Sequence, residues 1–275
     1  MVRVPATCAT APWWLVHLGH EVGHVVDERL LGYQARSTLV ASLQLPAASA
    51  AEWTQWSGEL FADLYAMLMH GPWALWALAT VEQRDDDAMR APRDAYPPAV
   101  VRLLVLAHAC RALGYRLDRW RPLFDRWTAL VAADPMAQAQ VGEGGRVASA
   151  LLAHCVDGGD LAALVDHVPE RWAAGGAMSA WAHRLPMVKA DQVPAAELVS
   201  AREVVAAAVM RRSIADAATL RREGPSLAAG MLRWLPLVRE PGTRAGSGAG
   251  SSALSDGRAA GAALTAALMR VEAMP

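Results

Sequence analysis

Two histidines and a glutamate fall within five residues of one another in His20-Glu21-Val22-Gly23-His24. On a helix, residues four apart share a face, so both imidazoles can reach one metal ion while Glu21 stands beside it as a proton acceptor. A helical pair of this kind needs a third protein ligand and one coordination position left for water. Glu59, in Trp56-Ser57-Gly58-Glu59-Leu60-Phe61-Ala62-Asp63, is the best candidate, and Asp63 follows it four residues later. Glu59 can bind the metal, and Asp63 can accept a hydrogen bond from the far nitrogen of a ligating histidine, fixing its tautomer and raising its basicity. Solvated surface carboxylates would be the alternative, but the neighbours Leu60, Phe61, Ala62, Leu64 and Tyr65 are apolar and imply burial.

Helices must position these groups. Pro12 suits a first helical position, with Ala11 or Thr10 before it as a cap, and residues 13–31 contain no proline and meet Gly32, a natural stop. Along this helix His17, His20, His24 and Asp27 form one stripe, and Leu15, Leu18, Val22, Val25 and Leu30 supply much of the rest. The pattern predicts a helix buried nearly all round with a polar seam, and a buried polar seam needs partners, among which a metal is an economical one. Ser49-Ala50-Ala51-Glu52 has the form of a capping box, opening a second helix that runs to His70 and stops at Gly71-Pro72.

HEVGH followed by E-L-F-A-D resembles the gluzincin metallopeptidases, zincins whose third ligand is a glutamate from a second helix. The E-x-x-A-D form is most similar to the branch containing the membrane CAAX-type proteases and their soluble bacterial relatives. In that branch a later His-Pro segment is often followed by an arginine, and the matching stretch here is Tyr96-Pro97-Pro98-Ala99-Val100-Val101-Arg102. Tyr96 stands where the histidine would be, so a hydroxyl either takes over that role or the role is lost. The resemblance covers residues 12–113. It implies a Zn2+ ion on His20, His24 and Glu59, with Asp63 orienting a histidine and a peptide or protein as substrate.

Zinc held by two neutral imidazoles and a carboxylate lowers the pKa of a bound water toward ~7. Glu21 would take the proton of that water and pass it to a leaving amine as the metal polarises the carbonyl, so peptide-bond hydrolysis is the expected chemistry. A donor to the tetrahedral intermediate is also required, and Tyr96 and His70 are the possibilities, each with a packing or capping role as the alternative.

With 275 residues, 54% hydrophobic content and a net charge of −1, the chain can build a substantial core and carries no bias toward nucleic acid or an anionic membrane. Cys8, Cys110 and Cys155 are odd in number and lack CxxC spacing, which favours a reducing, cytoplasmic compartment, and the N-terminus lacks a signal-peptide pattern. The apolar run over residues 64–81 is interrupted by His70-Gly71-Pro72 and predicts a helical hairpin rather than a membrane span. Further helical patterns occupy residues 72 to about 85, 98–113, 116–133 with a break at Pro122, 145–156, 161–174, 194–211 and 226–238, and Asp85-Asp86-Asp87 has the form of a solvated helix end. No alternating strand pattern appears. The remaining histidines, His108, His154, His167 and His183, lack ligand spacing, and the pairs Trp53/Trp56 and Trp73/Trp76 suit packing. The expected fold is mainly α, a helical zincin-like core over residues 1–239 with little or no sheet, followed by a flexible Gly/Ser/Ala-rich tail over residues 240–275.

Zincin folds normally place a substrate-gripping sheet before the HExxH helix, whereas only about eleven residues precede it here. Either the chain is N-terminally shortened, or the substrate edge comes from elsewhere. The competing class is a catalytically silent helical interaction module with a structural zinc or none.

Overall fold

A computed structural model describes residue 8 and residues 11–154, 160–165, 168–172, 177–187 and 200–234. The expected flexible tail, Cys155 and His167 lie outside the described residues. Among those described there is no strand, and helix follows helix. They divide into two compact units, one of residues 19–169 and one combining residues 1–18 with 170–275.

The first unit is organised around α3 (Ala47–His70), against which α2 (Gly32–Ser42), α4 (Pro72–Glu82), α6 (Ala99–Ala112) and α8 (Pro135–Leu152) all pack. α3 is apolar enough to be enclosed: from Leu60 to His70 every side chain is buried. Gly71, with φ +64°, and Pro72 at the start of α4 break the apolar run into the expected hairpin. Among the described residues no helix is long and apolar enough to cross a membrane. Trp53 is fully buried and meets Trp56 edge-on at 5.2 Å, while Trp73 meets Trp120 edge-on at 5.3 Å, so these rings pack the interior.

Several boundaries differ from expectation. Pro12–His17 form a 3-10 turn, and the α-helix carrying the motif, α1, covers only Leu18–Leu30. Far from being enclosed on all sides, α1 exposes Glu21, Val25, Glu28 and Arg29. α3 begins at Ala47 behind Pro46, which puts Ser49 and Glu52 inside the helix instead of at a capping box. Pro122 sits in the first turn of α7 (Arg121–Ala132), a position where its missing N–H costs nothing, so it opens the helix rather than breaking it. α7 ends at Ala132, just before Asp134, and Asp134 caps α8, accepting from the N–H groups of Met136 and Ala137 at 2.9 and 3.2 Å. The glycines of α8 hide this helix in the sequence. Gly144 is there because a Cβ would run into the Trp53 ring and lie 2.6 Å from Val105 Cγ2. Asp85 caps the five-residue α5 (Asp86–Arg90), in keeping with a solvated helix end. The unit closes with the single turn α9 (Leu161–Leu164).

In the second unit, α10 (Ala177–Arg184), which the sequence did not suggest, packs on α11 (Ala201–Ile214), and α11 packs on α12 (Ala217–Trp234). α11 is opened by a capping box of Ser200 and Glu203. From it Arg212 reaches over the rings of Trp13 and Trp14, 5.1 and 5.4 Å from their centres.

Candidate metal centre

α1 approaches α3 along a seam without bulk. On α1 the facing residues are Gly19 and Gly23; on α3 they are Ala62 and Ala66. A Cβ on Gly23 would lie 2.7 Å from Ala62 Cα, and one on Gly19 would lie 3.2 Å from Ala66 Cα. Real Cβ atoms essentially never come as close to backbone as 2.7 Å, so only glycine fits at position 23, and at position 19 the backbone would have to give by a few tenths of an ångström. Next to each small residue stands a functional one: His20 and His24 follow Gly19 and Gly23, and Asp63 follows Ala62, with Glu59 one turn earlier. The close crossing therefore delivers four polar groups to one place. α2 braces the same crossing, since its Arg36 pairs with buried Asp27 of α1 and donates to Ser57 Oγ of α3 at 3.2 Å. Asp27 thus meets its need for a partner through a guanidinium.

Three donor atoms converge. His20 Nε2 and His24 Nε2 are 3.1 Å apart, and Glu59 Oε2 is 3.2 Å from the first and 3.5 Å from the second. Ligands 2.0–2.1 Å from a tetrahedral zinc are about 3.3 Å from one another, so these spacings suit one such ion. Among the described residues, this is the trio of His, Cys, Asp or Glu side chains placed to hold a metal.

The hydrogen bonds behind the trio fix which atoms point forward. His20 Nδ1 donates to Asp63 Oδ1 at 2.8 Å, which leaves Nε2 with its lone pair toward Glu59 and His24. Asp63 is in turn gripped by the fork of Arg102, with Nε to Oδ2 at 2.7 Å and Nη2 to Oδ1 at 2.8 Å. Glu59 Oε2 is buried and has no well-aligned donor. The His20 Nε2 lone pair and the Glu59 carboxylate oxygen, directed at one another, repel unless something positive lies between them, either a proton or a cation.

The proton affinities follow. Burial alone would lower the His20 pKa, but its hydrogen bonds to Asp63 and Glu59 outweigh burial and raise it to about 9. Burial would raise the Glu59 carboxyl, yet the two histidines hold it well below the usual carboxylate range. Asp63 is lowered as well, with Arg102 and His20 overcoming its burial. Without a metal, the cluster holds a proton at the place a cation would occupy.

No protein-family model, curated protein or solved structure matches this chain. What the site can do must come from its geometry.

Exposure is graded across the trio. The side chains of His20, Glu59 and His24 are 15%, 21% and 36% exposed, so the centre opens toward His24. Its other side is sealed, because Trp53, Leu60, Pro97 and Val105 close around Glu59, Asp63 and Arg102 and leave no space for a water molecule. Glu21 is exposed on α1, between the two histidines in sequence.

Tyr96 lies beside the trio. Burial and the nearby negative charge of Glu59 raise the pKa of its hydroxyl. His70 is elsewhere: it is 1% exposed beneath Gly19, eleven residues along α3 from Glu59, roughly 16 Å of helix. It cannot serve the centre as a donor. His108 and His183 are exposed and stand apart from the trio.

Three participants went unrecognised in the sequence. Arg102 appeared only as part of a matching stretch, and Glu82 and Arg93 carried no local signal at all, because their contacts span eleven to thirty-nine residues. The glycine seam did leave a trace. Gly19-x-x-x-Gly23 runs in step with His20-x-x-x-His24, and Ala62-x-x-x-Ala66 trails Glu59-x-x-x-Asp63 by three residues.

Proposed function

We propose that this chain is a zinc-dependent metallopeptidase of gluzincin type, with His20, His24 and Glu59 as metal ligands and Glu21 as general base. The observation that carries the reading is the convergence of His20 Nε2, His24 Nε2 and Glu59 Oε2 at spacings that suit one tetrahedral zinc. When bound, zinc would supply Lewis acidity, making a water ligand acidic near neutral pH and polarising the carbonyl under attack.

The remaining work falls to the chain. Asp63 holds the His20 ring so that Nε2 faces the centre, and Arg102 keeps Asp63 ionised for that purpose. Glu21 takes a proton from the attacking water at its carboxylate and delivers it to the departing amine nitrogen. Its exposed position on α1, on the side where His24 meets solvent, suits a base that must reach both water and substrate. Tyr96, whose hydroxyl feels the Glu59 charge, is the nearby donor for the charge that develops on the carbonyl oxygen. The sealed face behind Glu59 leaves the His24 side for the peptide to approach.

Elemental analysis of protein purified without chelators tests the metal assignment: one zinc per chain is expected, and a chain that neither carries nor takes up zinc overturns it. Glu21→Gln tests the chemistry. An amide still hydrogen-bonds but does not accept the proton, so the variant should retain zinc and fold while losing turnover on a peptide library cleaved by the wild type. A zinc-loaded wild type that cleaves no peptide would favour a helical interaction module with a structural zinc.

A further inference from the structure

Behind the metal trio lies a buried chain of alternating charge that the proposed reaction does not itself require. Glu82, the last residue of α4, is 4% exposed. It accepts from Arg93 Nη1 on both carboxylate oxygens, at 2.8 and 2.7 Å, and from Arg102 Nη1 at 3.2 Å. Arg102, itself 5% exposed, spends its other nitrogens on Asp63, and Asp63 holds His20. Both guanidiniums also lie on the Tyr96 ring, Arg93 at 4.8 Å and Arg102 at 4.5 Å from its centre.

A buried network of this size is a poor device for stability, since well-packed apolar side chains usually do as well. What it does supply is orientation. The two parallel bonds from Arg102 fix the plane of the Asp63 carboxylate, but a long arginine side chain can still pivot as a whole. The bond from Nη1 to Glu82 removes that freedom. Glu82 is itself held by Arg93, and both arginines stack on the Tyr96 ring.

We propose that Glu82 is a positioning residue for the metal centre: through Arg102 and Asp63 it sets the His20 ring. One of the three donors is thereby oriented from a carboxylate on a helix that contributes no ligand. The inference rests on the metal assignment above, and its test keeps the two separable.

Zinc affinity is measured by competition with a chromogenic chelator for the wild type, Glu82→Gln, Asp63→Asn, the double variant and His24→Ala, with far-UV circular dichroism confirming folding. Changing the outer partner of a metal ligand costs 10- to 100-fold in affinity. Asp63→Asn should fall in that range and Glu82→Gln near about tenfold, at its lower edge. Because Glu82 acts largely through Asp63, the double variant should lose clearly less than the product of the two single losses. A residue that only stabilised the fold would give multiplicative losses or none. Either result in a folded Glu82→Gln protein overturns the proposal. Should Glu82→Gln fail to fold, Arg93→Gln, at the half-exposed end of the chain, carries the same cycle with the same criteria. If His24→Ala binds zinc as the wild type does, it is the metal assignment that fails.

Discussion

Asp63 must satisfy two demands at once. Its Oδ1 takes both the His20 N–H and one Arg102 nitrogen, and its Oδ2 takes the other, so every lone pair that could face the interior is engaged. Asn in its place keeps one oxygen and turns an NH2 group toward a guanidinium in a site that is 5% exposed. Removing one partner of a buried ion pair leaves the other uncompensated, at a cost of about 3 kcal/mol or more. Asp63→Asn should therefore lower stability in chemical denaturation as well as zinc affinity. Glu21→Gln, on an exposed face, should lower neither and remove only turnover. A Glu21→Gln protein cleaving as fast as the wild type would remove Glu21 from the mechanism. Residue type and spacing were enough to find His20, His24, Glu59 and Asp63, because all four repeat at helical intervals. Glu82 and Arg93 were invisible because nothing local distinguishes a buried carboxylate or guanidinium from a solvated one.

The approach of α1 to α3 depends on what Gly23 lacks. Gly23→Ala would put a methyl 2.7 Å from Ala62 Cα, a backbone atom with nowhere to go, so the helices must part. A change of even a few tenths of an ångström at His20 and His24 spoils a trio spaced for a single ion. Stability should fall by about 1–3 kcal/mol, as for other overpacked positions, and zinc affinity should fall with it. Gly142 provides the contrast within the same unit. It is a helical glycine in α8 with open space where a Cβ would go, so Gly142→Ala should stabilise by up to about 1 kcal/mol and leave zinc binding alone. Equal effects of the two substitutions in thermal denaturation and zinc titration would refute the seam argument. Glycine also marks where the sequence misled: the cluster Gly142, Gly144 and Gly145 obscured most of α8, although Gly144 is there to admit Trp53. Conversely, Gly71-Pro72 and Gly114 ended helices where expected, since φ values of +64° and +83° are costly for other residues. Capping signals failed where a proline took over, at Pro46 before α3.

At the scale of the whole molecule, the candidate metal centre ties stability to pH. In metal-free protein His20 has a pKa of about 9 against an ordinary value of 6.5. A raised pKa means that the folded state binds the proton more tightly than the unfolded chain does. That contribution is complete below pH 6.5 and is lost as pH climbs through about 9, a decline on the order of 3 kcal/mol. The depressed carboxyls of Glu59 and Asp63 act only in acid, where their contribution disappears as pH falls, so they leave this window to His20. Zinc bound as proposed would reverse the trend, because it needs His20 neutral: uptake would expel the proton, and apparent affinity should rise between pH 6.5 and 9. Binding to the folded state alone then stabilises in proportion to the logarithm of zinc concentration over Kd. In scanning calorimetry with a chelator, the melting temperature should fall by several degrees from pH 6.5 to 9. With excess zinc, the difference between loaded and metal-free protein should widen over the same interval. A gap that stays constant with pH would mean that His20 carries no proton for zinc to displace, and the absence of any gap at every pH would cost the cluster of His20, His24 and Glu59 its standing as a metal centre.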